Sequence, residues 1–65
     1  MTNKAEIDAL IRVIEDTLQE PGGDETKLRR ALSLAAEAIR TPVSERRDEL
    51  VRNARDFLQE GRLGP

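Results

Sequence analysis

Ser33 and Ser44 are the two serines of this sequence, and Lys4 and Lys27 are its two lysines. Covalent chemistry would have to be built from these. A serine needs a base to take its proton, and the chain contains no His. A lysine can serve instead only if burial depresses its pKa. Lys4 and Lys27 both fall in first turns of helical patterns among polar residues, where burial is not expected. There is no Cys, which removes thiolate nucleophiles, thiolate metal ligands and disulfides. Pro21-Gly22-Gly23-Asp24 precedes a helical pattern but lacks the strand and the Lys-Ser/Thr pair of a phosphate-binding loop. The chain is therefore expected not to be an enzyme, with no catalytic residue, no cofactor and no small-molecule substrate.

Two clusters suggest binding chemistry. Glu15, Asp16, Glu20, Asp24 and Glu25 gather carboxylates of the kind that hard cations take. Their spacing matches no EF-hand loop, and neighbouring arginines compete for them, so no metal is expected. Ser44-Glu45-Arg46-Arg47 follows a helix and a short turn, as the recognition helix of a helix-turn-helix motif does. Arg46 and Arg47 would then meet nucleic acid. Glu45, Asp48 and Glu49 lie in the same stretch and repel phosphates, and the turn lacks the glycine often found there. Nucleic acid is disfavoured on this ground.

Composition narrows the field further. The chain has 65 residues, so it forms one small domain with a thin margin of stability. Domains of this size usually need a disulfide, a metal or a second chain. Only the last remains available. Phe57 is the single aromatic residue, so stacking platforms for bases are missing. Charged residues make up 37% of the chain, but the formal net charge is only −2, which is not the footprint of a dedicated nucleic-acid binder. Apolar runs are too short to span a bilayer, and Met1-Thr2-Asn3-Lys4 leads into a helix without a signal-peptide core. A cytoplasmic protein is expected. Nine Arg against two Lys hint at a GC-rich bacterial gene.

The elements that hold these residues are helices. Asn3 caps a first helix over about 4–20, with Glu6 completing a capping box. Ile7, Leu10, Ile11, Ile14 and Leu18 recur on one face, and Lys4, Asp8, Arg12 and Asp16 form a charge ladder on its back. Pro21-Gly22-Gly23 ends it, and Asp24 caps a second helix over 25–40. Leu28, Ala31, Leu32, Leu34, Ala35, Ala36, Ala38 and Ile39 cover roughly 200° of that helix, against about 160° on the first. Thr41 and Pro42 stop the second helix and, as cap and first residue, start a third over about 43–60. Ser44 is a competing cap. Val43, Leu50, Val51, Ala54, Phe57 and Leu58 share its apolar face, Gly61 suits the position just past its end, and 62–65 reads as a frayed tail.

Short connections make successive helices antiparallel. The expected fold is all-α: a three-helix up-down-up bundle, or a helical hairpin with a third helix packed on it, within a single domain over 1–65. Packing of this kind should bring the acidic end of helix one (Glu15, Asp16, Glu20) against Lys27, Arg29 and Arg30. Val13 and Leu34 lie at the margins of their apolar stripes, and Arg47 falls inside one, either extending its head group to water or anchoring an interface. Val13, Ala31, Leu34, Ala38 and Arg47 are therefore the residues expected to meet another protein chain, self or foreign. The functional expectation is a non-enzymatic interaction module acting through an apolar helix face, such as a small bacterial or phage adaptor, chaperone, antitoxin or immunity-like protein. The alternatives are a homodimeric structural bundle and the helix-turn-helix reading.

Overall fold

A computed structural model describes residues 2–62, and it contains three helices: α1 (Lys4–Gln19), α2 (Glu25–Arg40) and α3 (Glu45–Arg62). Each begins where a short polar side chain can take an orphan backbone N–H. Asn3 accepts from Glu6 N–H at 2.8 Å, Asp24 from Lys27 N–H at 3.2 Å, and the Ser44 hydroxyl from Arg47 N–H at 3.2 Å. Each of the first two ends two residues before a proline. Glu20 (φ −83°, ψ 140°) and Thr41 (φ −94°, ψ 135°) are both extended, as a residue preceding proline prefers to be. Gly22, at φ +94°, supplies the left-handed backbone that turns the chain from α1 into α2.

The third helix departs from expectation at both ends. Thr41 closes α2 rather than opening α3: its hydroxyl donates to the Glu37 carbonyl at 2.8 Å. Ser44 takes the capping role, and its hydroxyl also donates to the Pro42 carbonyl at 2.8 Å. Val43 thus lies outside the helix and is 53% exposed, not part of the apolar face. At the far end Gly61 is not a cap but a buried residue within α3, and Arg62 is helical. The rest of the expected tail, 63–65, lies outside the described residues.

The Cα envelope measures 34 × 16 × 14 Å. A helix of this length is about 24–27 Å long, so all three lie side by side along the long axis, up-down-up. One core joins them: Ile7, Leu10 and Ile14 from α1, Leu28, Ala31, Ala35 and Ala38 from α2, and Leu50, Val51, Ala54 and Leu58 from α3. Small residues on facing sides let α2 and α3 approach closely, since Ala31, Ala35, Ala38 and Ala54 are all at 0% exposure. The two helices are close at Gly61, where an added Cβ would stand 2.7 Å from Leu28 Cγ. The Gly61 carbonyl also accepts the Asp24 N–H at 2.9 Å, which ties the last turn of α3 to the start of α2. Helix α2 packs against both neighbours, most extensively against α3, whereas α1 and α3 scarcely touch. The wide apolar arc of α2 is therefore the centre of the bundle.

The expected charge pairing across the first turn is absent among the described residues. Lys27 bonds Glu60 of α3 at 3.0 Å, and Arg29 bonds Glu25 on its own helix at 2.7 Å. Nor does the Lys4-Asp8-Arg12-Asp16 ladder close into ion pairs there. All four are exposed, where holding two long side chains in one geometry offsets most of the gain.

Candidate functional site: a furrow between the first and third helices

Because α1 and α3 scarcely touch, a furrow of about 760 Å³ opens between them. Leu10 and Val13 of α1 and Leu58 of α3 form its apolar part, and Arg55, Gln59 and Arg62 of α3 form the rest. Helical spacing explains the second set. Arg55, Gln59 and Arg62 are four and three residues apart, which stacks them along one flank of α3 beside the core-facing Leu58. Val13 stands three residues beyond Leu10 on the corresponding flank of α1. It is one of two large hydrophobic residues left exposed among the described residues, at 43%. Leu10 and Leu58 are each 7% exposed.

The furrow continues in both directions. Towards the start of α3 it meets a hollow lined by Thr2, Asp48, Val51, Arg52 and Asp56, with Arg55 and Gln59 shared. There the Thr2 N–H donates to Asp48 Oδ1 at 2.9 Å and fastens the segment before α1 onto α3. Those bonds from the Thr2 backbone and hydroxyl, helped by nearby Arg52, hold the Asp48 carboxyl below its ordinary 3.8. Towards the other end, Arg62 also borders a hollow against Thr17, Glu20 and the Pro21-Gly22-Gly23 turn. Arg52, Arg55 and Arg62 have no carboxylate within ion-pair distance among the described residues. Arg55 and Arg62 thus stand on one flank of α3 without an ion-pair partner among the described residues, while Arg52 shares the adjoining hollow with Asp48 and Asp56.

The residues expected to meet a partner do not come together. Val13 is in the furrow. Leu34 is half-buried and packs against the core from α2. Ala31 and Ala38 are at 0% exposure, so they are core and not surface; their small size serves the α2–α3 approach. Arg47 is also a correction. It is only 7% exposed, and its Nε is shut away from solvent with no hydrogen-bond partner among the described residues. It neither carries its whole head group into water nor offers a surface. Arg46 bonds Glu37 of α2 at 3.4 Å. With one arginine buried and the other paired, Arg46 and Arg47 do not form the exposed pair that a recognition helix needs.

Arg55, Leu58, Gln59 and Arg62 were missed by sequence reasoning. Leu58 reads as core from its spacing, and the other three read as ordinary solvated residues. Only the gap between α1 and α3 gives them a shared surface, and no local pattern encodes that spacing. A second hollow, on the α2–α3 flank, surrounds the half-buried Phe57 with Thr26, Lys27, Arg29 and Arg30. Two of its cations are already in ion pairs, so it has less to offer a partner. Among the described residues no three acidic side chains converge as cation ligands would, and no helix is long and apolar enough to cross a membrane. No protein-family model, curated protein or solved structure matches this chain.

Proposed function

We propose that this chain is a non-enzymatic protein–protein interaction module that receives another protein along the α1–α3 furrow. The observation that carries the reading is Val13. A valine 43% exposed beside Leu10 and Leu58, in a furrow open over 760 Å³, is apolar surface left uncovered by the chain's own fold. Covering it would add to a core that is small for a free-standing domain. The furrow has the form of a groove into which an amphipathic helix lays its apolar face. A small bacterial or phage adaptor, chaperone, antitoxin or immunity-like protein is the kind of module this reading describes, and a cytoplasmic setting belongs to it. Self-association through the furrow is the competing reading.

Site-specific photo-crosslinking in cells tests this. A photoreactive residue at position 13 should form a discrete protein adduct, and one at the exposed Ser33 should not. Equal labelling from both positions, or none from position 13, would remove the furrow as the binding surface.

A further inference from the structure

We infer that the furrow's occupant is an acidic amphipathic helix of a different protein, a step that rests on the docking reading above. Its lining is chemically one-sided. Leu10, Val13 and Leu58 supply the apolar floor, and the two charged residues among the lining, Arg55 and Arg62, are both cations. Carboxylates join only beyond its two ends: Glu20 where the furrow runs past Arg62 into the α1–α2 turn, and Asp48 and Asp56 where it runs towards the start of α3. A helix lying along the floor would bury apolar side chains at i, i+3 or i+4, and i+7 against Leu10, Val13 and Leu58. Its flank towards α3 would then run beside Arg55 and Arg62. Carboxylates there would meet planar guanidinium donors that can bond them two at a time. Lysines in the same places would meet like charge and be rejected.

The same charges argue against a second copy of this chain. A two-fold dimer apposes a patch to itself. With the two-fold axis lying across the helices, Arg55 of one protomer would face Arg62 of its partner, with no carboxylate in the 760 Å³ lining to separate them.

The test uses the isotope-labelled chain and two synthetic helical peptides sharing one leucine stripe, flanked by Glu in one and by Lys in the other. The Glu peptide should move the amide resonances of Val13, Arg55, Leu58 and Gln59. It should bind on the order of tenfold tighter than the Lys peptide at low salt, with the preference shrinking as salt rises. Arg55→Glu combined with Arg62→Glu, both at exposed positions, should invert the preference. Equal binding of both peptides in the furrow would leave the docking reading standing and sink the acidic partner. Perturbation centred on Phe57 instead, or no perturbation by either peptide, would sink both. A dimer of the chain alone that Val13→Glu dissociates would make the occupant a second copy and overturn the inference.

Discussion

Leu28 occupies the space that a side chain on Gly61 would need: a Cβ there would stand 2.7 Å from both Leu28 Cγ and Cδ2. Leu28 is 1% exposed, and Cγ is the branch point of its side chain, so it has nowhere to swing. Two effects of Gly61→Ala oppose each other. Alanine favours helix by at most about 1 kcal/mol over glycine, and overpacking a closed core costs about 1–3 kcal/mol. The clash wins. Gly61→Ala should lower the urea midpoint by a net loss on the order of 1 kcal/mol, and a stabilised variant would show that α2 and α3 are not so closely apposed.

Arg47 gives a prediction of the opposite sign. Its Nε is buried without a partner, a situation that costs about 1–3 kcal/mol. Its aliphatic stem nevertheless fills space beside the core. Arg47→Met keeps the stem and removes the orphaned donor, so it should stabilise the fold by about 1 kcal/mol in the same urea titration. Arg47→Ala removes both and should destabilise it. Equal losses in the two variants would mean that the guanidinium makes a stabilising bond after all.

Asp48 predicts how stability responds to acid. Its folded pKa lies below the ordinary 3.8 because Thr2 bonds the ionised form. A group with a depressed folded pKa contributes stability that is fully present above its unfolded pKa and is lost as pH falls through the folded value. The stability difference between the parent chain and Asp48→Asn should therefore be constant near neutrality and close as pH drops below 3.8. A difference that persists unchanged through acid would show that the Thr2 tether does not depend on the charge.

Local chemistry was legible where it had one solution. Asn3 and Asp24 each stand alone as cap candidates before an apolar pattern, and Pro21 and Pro42 fix the ends of α1 and α2 to within a residue. Thr41 and Ser44 compete three residues apart. Thr41 loses because its hydroxyl is used by α2, a bond visible only in three dimensions. Gly61 misled for a related reason. A glycine near a helix end reads as a cap unless one knows that Leu28 lies against it. The breadth of the apolar arc on α2 set that helix apart from the other two. It could not separate Ala31 and Ala38, which face neighbouring helices, from a surface awaiting one. The furrow was the least legible feature. Arg55, Gln59 and Arg62 become a wall only because α1 stands off from α3 and packs mainly against α2.

The close contact of α2 with α3 also has an evolutionary meaning. Ala31, Ala35 and Ala38 on one side, and Ala54 and Gly61 on the other, hold the two backbones near each other. Any enlargement at one of these positions needs a matching reduction across the interface, so they are constrained to drift together. Outside the furrow, the charged exterior, whose pairs among the described residues are few and exposed, is free to change. Descendants of this sequence would be recognised less by those outer charges than by the spacing of their smallest residues.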